Sequence, residues 1–433
     1  MKMNYKDLKR ELFSTMTLIM MIITVSATDI NTNYPEKEQS DLYLATFDVD
    51  VTPPIGYELG VVPRVENTWD MGLRAKGIIF TGKGQPILLI AFDWCYIKLE
   101  CYDLFRRELA EAAGTIPERV AIHTVHQHDA PRLARKEQIN DEYTKDVINR
   151  LKQSINQSVK NAVKVTHIGL GEAEVCCVAS NRRIIGPDGT VRAGRMSSCK
   201  DPVLRAEPEG LIDPIVSLTS FWNNKKPLAV LSYYATHPQS YYRTGIPNPD
   251  FPGIARFFRQ IKVPEALHIH FAGASGNIAA GKYNDGSQKN RGILAERLSE
   301  GMKKAWESTE LQPILIDAVD WKVEKIALPA NENKDDPYKK WYKSGGLLYI
   351  QCLSINNTRI LHLPGEPFVE YQVAAKKIRP DLFVAMAANG DGGPVYIPTA
   401  NAFKEGGYEV GASAVTADAE KIILKAIQEL LKP

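Results

Sequence analysis

Past its first 27 residues this 433-residue chain has no run of about 18 consecutive apolar residues, which excludes a membrane-spanning helix in the body of the protein. Charge of one sign is scarce as well. The formal net charge is +2 with both signs mixed, so there is no basic stripe of the kind that binds nucleic acid. Cysteine numbers only six, far below the density of a disulfide-held scaffold, and no C-x-x-C or C-x-x-H spacing occurs. Cys176 and Cys177 are neighbours, an awkward geometry for bonding to each other; pairing with Cys199, or thiols that stay reduced, fits better. Internal repeats and low-complexity linkers are missing too. What remains is a globular chain whose partner must be read from its site as a small-molecule or lipid substrate, with no nucleic acid.

The N-terminus is the exception to the lack of apolar runs. Lys2, Lys6, Lys9 and Arg10 precede "TMTLIMMIITV" (15–25), and the small residues of "VSA" (25–27) suit a cleavage site. The pattern reads as a secretory signal peptide over 1–27, because the apolar run is shorter than the roughly 20 residues that a spanning anchor needs. No cysteine follows it, which argues against a lipoprotein anchor. The expectation is an exported protein, periplasmic or extracellular, with no transmembrane segment in the mature chain and one domain over 28–433.

Short apolar runs alternate with longer helical patterns along that domain. Strands are expected at 41–49, 75–82, 86–94, 119–126, 227–237, 266–273 and 359–366. Helices are expected at 99–114, 139–163, 252–262, 289–307, 367–378 and 413–431. The alternation argues for one α/β unit with its site on loops at strand ends.

The polar residues at those ends are the candidates. "HTVHQHDAP" (123–131) packs three of the eight histidines into six positions. If the strand continues extended to 128, His126 and His128 share a face with Val120, Ile122 and Thr124, while His123 points to the other and reads as structural. Two imidazoles on one face suit a metal or a substrate; a polar strand end facing water is the plain alternative. His237 ends the run "YYATHPQSYY", where Pro238 stops the ladder. Glu366 follows the turn in "LHLPGEPF", where it either joins a site or caps the helix expected from 367. Ser275 sits in the glycine-rich turn "FAGASGNIAAG", which can expose a hydroxyl and backbone N–H groups. The G-x-S-x-G pattern is not matched, because Asn277 stands two residues on. His268 and His270 lie inside an apolar strand and read as core residues.

The order of "VHQHDAP", "SNRR", "THPQS", "GASGN", "LPGEP" and "VYIPT…GGYE" resembles the catalytic domain of neutral (non-lysosomal) ceramidases. That family carries H-T-H-S-G-P, N-R-S, H-P-x-S, G-D-V-S-P-N, P-G-E and Y-x-T-T…Y-E in the same order, and "DVTPPIG" (50–56) is similar to its N-terminal signature. The resemblance covers about residues 45–420. It implies mixed β-sheets flanked by helices, in the neutral-ceramidase-like catalytic domain without the family's C-terminal immunoglobulin-like domain. It also implies zinc (Zn²⁺) on His126, His237, Glu366 and Tyr396. His128 would then face the substrate carbonyl, with Arg182 and Tyr408 nearby. Tyr396 and Tyr408 are twelve residues apart, as in the family motif. Ser275 aligns with a serine the family needs, as nucleophile or as hydrogen-bonding group.

The chemistry of these residue types agrees. Two neutral imidazoles and a carboxylate suit hydrolytic zinc, and a phenol is acceptable as a weak further ligand. The function implied is an exported amidohydrolase that cleaves the N-acyl amide of ceramide-like sphingolipids to a sphingoid base and a fatty acid, with transient membrane-surface contact. His128 or Asp129 would supply the leaving amine's proton. Two departures stand out: Asp129 replaces the family's serine and is expected to alter local charge or engage a polar substrate, and "GASGN" lacks the family's aspartate and proline. The rival readings are the same zinc site on another amide or ester such as an acylated glycan, a metal-independent serine hydrolase using Ser275, and a binding protein without turnover.

Overall fold

Two β-sheets stacked face to face, each covered on its outer side by helices, carry the computed structural model, which describes residues 41–59, 64–68, 70–390 and 393–432. The signal peptide expected over 1–27 lies outside the described residues. The larger sheet has nine strands in the order Val319–Ile326, Leu348–Ile355, Thr358–Pro364, Phe383–Gly390, Val120–Thr124, Ile87–Phe92, Arg74–Thr81, Tyr43–Asp50 and Val163–Lys164. It is mixed, with parallel pairing of Thr358–Pro364 with Phe383–Gly390 and of Ile87–Phe92 with Val120–Thr124. The smaller sheet runs Leu267–Ala272, Lys226–Tyr234, Ile215–Asn223, His167–Glu174 and Glu310–Pro313.

Ile87–Phe92 shows why these runs become strands. Its period of two sends Leu88, Ile90 and Phe92 to the outer core and Ile87, Leu89 and Ala91 to the layer between the sheets, so every residue is buried. The inter-sheet layer takes Ile269 and Phe271 from the smaller sheet. Outside the larger sheet, the helices Leu99–Ala113 and Glu142–Val159 close one half, and Val369–Ile378 and Ala419–Leu430 close the other. Asp250–Lys262 and Lys289–Glu307 cover the smaller sheet.

All the expected strands and helices occur, Lys289–Glu307 with its expected bounds and the others with shifted ends, the largest shift being the last helix, which begins at Ala419. The mixed α/β class is as expected. All six cysteines are free, so the reduced alternative holds. His268 and His270 are buried, and His270 Nδ1 lies 3.0 Å from Ser232 Oγ. Among the described residues no helix is long and apolar enough to cross a membrane.

Candidate metal centre

The candidate residues are carried by loops that leave neighbouring strand ends. His126 follows Val120–Thr124, His237 follows Lys226–Tyr234, Ser275 follows Leu267–Ala272, and Glu366 follows Thr358–Pro364. Tyr396 comes after Phe383–Gly390 and pairs in parallel with Glu366 through the backbone. Two glycines allow the loops to close up. Gly365 has φ +60°, and a Cβ there would meet Pro394 O at 2.1 Å; a Cβ on Gly276 would meet Glu366 O at 2.3 Å.

His126, His237 and Glu366 come together. Glu366 Oε2 lies 3.4 Å from His126 Nε2 and 3.3 Å from His237 Nε2, all three residues buried. His126 Nδ1 donates to Cys95 O at 3.1 Å, and His237 Nδ1 donates to Ser275 O at 2.8 Å and Ile278 O at 2.9 Å. Carbonyls only accept, so each Nδ1 carries the proton and each Nε2 presents a lone pair toward the carboxylate. His237 Nε2 and Glu366 Oε2 are buried with no hydrogen-bond partner. Unpaired buried acceptors facing one another are costly unless something positive completes them. A tetrahedral metal with bonds of about 2.0–2.1 Å sets its ligand atoms about 3.3–3.4 Å apart, the separation seen here. The backbone carbonyls on Nδ1 are the outer partners that fix tautomer and ring orientation in such sites. The three residues therefore fit a divalent metal.

The electrostatics agree with that donor set. Burial pulls the pKa of His126 down to about 4, so its ring is neutral at neutral pH. Burial pushes Glu366 up, but the facing His126 and His237 together with Arg182 outweigh it and hold the carboxyl below the usual range. Burial raises the Tyr396 phenol well above its ordinary value, with Arg182 pulling the other way, so it stays protonated. Its ring lies 6.2 Å from that of His237, and Arg182 sits 5.0 Å over it.

His126 and His128 converge by a route other than the expected one. The strand ends at Thr124, and His126 has φ +67°, so β-alternation does not run to 128. A left-handed conformation costs a β-region residue about 1–3 kcal/mol and needs outside support. Here His126 N–H donates to Trp94 O at 3.0 Å, and Gln239 Nε2 donates to His126 O at 2.8 Å, with Gln239 itself held by Ser197 Oγ. No sequence pattern marked Gln239 or Ser197. His128 Nε2 ends 3.3 Å from His126 Nε2, its ring is edge-on to Tyr242 at 5.0 Å, and its Nδ1 is buried without a partner. It is not a member of the His126, His237 and Glu366 set but of a second one with Cys95 and His126, each set having its ligand atoms within 4.8 Å of one another. Burial and the neighbouring histidines lower its pKa to about 2.

His123 is structural and on the other side, as expected: its Nδ1 donates to Ala388 O and its Nε2 meets His362 Nδ1, each at 2.8 Å. Glu366 does not cap the following helix, which starts at Val369 with Glu370 in its first turn. Arg182 is held on two sides: Nε donates to Glu409 at 2.6 Å and Nη2 to Gly276 O at 2.7 Å. Tyr408 is 57% exposed, edge-on to Tyr396 at 5.7 Å. Ser275 is buried, with its carbonyl on His237. Asp129 is held by the neighbouring loop. Its carboxylate accepts from Arg243 N–H at 2.9 Å, from Thr244 N–H at 3.2 Å and from the Thr244 hydroxyl at 2.8 Å. It is fully buried and pins the loop over His128.

Neither a protein-family model nor a curated protein sequence matches the chain. Two solved structures share its fold. A ceramidase complexed with C2 superposes with a TM-score of 0.69 at 13% identity, over 91% of this chain and 75% of that one. The neutral ceramidase from Pseudomonas aeruginosa gives 0.66 at 14% identity over the same shares.

Proposed function

We propose that this chain is an exported, zinc-dependent amidohydrolase that cleaves the N-acyl amide of ceramide-like lipids, releasing a fatty acid and a sphingoid base. The observation that carries the reading is the trio of buried His126 Nε2, His237 Nε2 and Glu366 Oε2, facing one another at 3.3–3.4 Å without a proton between carboxylate and His237. The fold shared with two ceramidases supports the choice of reaction. In this reading 1–27 is the signal peptide, 28–433 is one catalytic domain, and contact with a membrane surface is transient.

His126, His237 and Glu366 would hold the metal, with Tyr396 as a weak further ligand. A bound divalent metal supplies Lewis acidity for the amide carbonyl and lowers the pKa of a water to about 7. The chain's own groups then divide the remaining work. Water adds to the carbonyl carbon, the C–N bond breaks, and the nitrogen leaves with an added proton. His128 has one buried nitrogen without a partner and faces the centre, where it would relay the proton to the leaving nitrogen. Tyr408 stands at the exposed side of Tyr396, where its hydroxyl can donate to the carbonyl oxygen as charge develops. Arg182 positions Tyr396 and the 275–277 turn. Ser275 acts as a hydrogen-bonding group: His237 faces its carbonyl rather than its hydroxyl, so the serine lacks the base a nucleophile needs.

The test is hydrolysis of a short-chain ceramide by protein treated with EDTA and then with zinc. The reading predicts loss and recovery of activity, and no recovery in His237→Ala. Chelator-insensitive hydrolysis abolished by Ser275→Ala would replace it with the serine enzyme.

A further inference from the structure

Lys98 and Arg132 are two cations beside the centre without a carboxylate partner; Arg195, which also has none, is instead met by four backbone carbonyls. Arg182, Arg183, Arg256, Arg291 and Lys76 each reach a carboxylate within 3.4 Å. Among the described residues no carboxylate lies within salt-bridge distance of Lys98 or Arg132. Instead both lean on Tyr96: Lys98 Nζ lies 4.4 Å and the Arg132 guanidinium 4.7 Å from its ring centroid. Arg132 Nη2 also donates to the Tyr96 hydroxyl, and its Nε is buried without a partner. Tyr96 and Lys98 line a narrow cavity whose wall includes His126 and Glu366.

A cation–π contact contributes about 0.5–2 kcal/mol. Removing an ion from water costs several kcal/mol even after relaxation. For two half-buried cations the aromatic ring does not offset that cost. The neighbouring acids are committed elsewhere: Glu366 to the two histidines, and Asp336 to the N-terminus of the helix Pro337–Lys343, where it accepts from Tyr338 N–H. A divalent metal in the centre would add positive charge to the same place.

We propose that Lys98 and Arg132 form a carboxylate-binding subsite opening on the metal centre, serving either an acidic group on the N-acyl amide substrate or the fatty acid that hydrolysis releases. The assignment rests on the amidohydrolase reading for its source of carboxylate, not for its charge. Arg132 offers a free N–H of a planar fork and Lys98 a mobile ammonium, a pair that suits two carboxylate oxygens.

The test is calorimetric binding of N-lauroylglycine, its methyl ester and laurate to metal-free and zinc-loaded protein. The acid should bind at least about tenfold more tightly than the ester, and the gap should close in Lys98→Met and Arg132→Met while ester affinity is kept. Arg132→Lys should restore part of it, and thermal melting of each variant checks folding. Preference for N-lauroylglycine over its ester assigns the subsite to the substrate. Tight laurate binding without that preference assigns it to the released acid. Equal affinity for acid and ester in wild type together with no laurate binding, or acid and laurate binding unchanged in both methionine variants, overturns the subsite. A subsite that binds acids in a protein that hydrolyses no amide would sink the amidohydrolase reading alone.

Discussion

The molecule holds two pairs of buried histidines, and they do different things. His123 and His362 lie between the sheets, rings 4.9 Å apart, with Phe271 against both of them and Trp321 against His362. Because His123 Nδ1 donates to Ala388 O, its Nε2 must accept from His362 Nδ1, so the two rings bond each other at 2.8 Å. His126 and His237 are as buried, with rings 5.2 Å apart, yet they do not bond each other. Each is turned by backbone carbonyls so that its remaining lone pair meets the same carboxylate oxygen. Histidine density and burial therefore do not mark a metal centre; lone pairs aimed at one anionic point do. His362 Nε2 is also without a partner, but no carboxylate faces it.

The strongest way to break the comparison is to remove one histidine from each pair. His237→Ala should lose metal and hydrolysis together, by more than the roughly 100-fold typical when an outer partner is removed. The readout is zinc retained after dialysis, alongside turnover. His128→Ala should lower turnover about 100- to 1000-fold while zinc stays bound, which single-turnover kinetics with metal analysis would show; equal metal loss in both variants would erase the distinction between ligand and substrate-facing residue. Gln239→Ala releases the carbonyl that holds His126 in its left-handed conformation and should weaken zinc affinity about tenfold, measured by competition with a chelator.

His123→Ala acts on the other pair. It strands His362 and opens a cavity, so denaturant unfolding should lose about 2–3 kcal/mol while zinc affinity is unchanged. The same pair gives a pH signature. Burial lowers His123 to about 4, so the unfolded chain takes up a proton near the ordinary histidine value while the folded one does not. Its contribution is therefore whole above about 6.5 and is lost as pH falls toward 4. Unfolding midpoints between pH 7 and 4 should fall less steeply in His123→Ala than in wild type.

Ile87–Phe92 was legible in the sequence because a continuous apolar run buried on both faces leaves little other reading. Two of the strands that escaped notice carry weaker signals, although Leu348–Ile355 and Phe383–Gly390, also unread, are buried on both faces. His167–Glu174 contains two glycines and two glutamates, and the Val319–Ile326 edge strand alternates charge with apolar residues. In the site, the ligand types were legible because strand-terminal histidines and a glutamate after a turn stand out against apolar runs. The φ of His126, the Gln239 support and the task of Asp129 were not, because each depends on a loop more than 100 residues away in sequence. For Asp129 the sequence shows its place beside two histidines, and only the fold shows that its carboxylate accepts from the backbone of residues 243 and 244.

The claim that His126, His237 and Glu366 form a metal centre is tested most directly by zinc stoichiometry. Wild type, His123→Ala and Glu366→Gln would be equilibrated with zinc, dialysed and analysed for metal, with circular dichroism as the check on folding. The geometry predicts one tightly held zinc per chain in wild type and His123→Ala, and none in folded Glu366→Gln. Equal zinc in wild type and Glu366→Gln would contradict it.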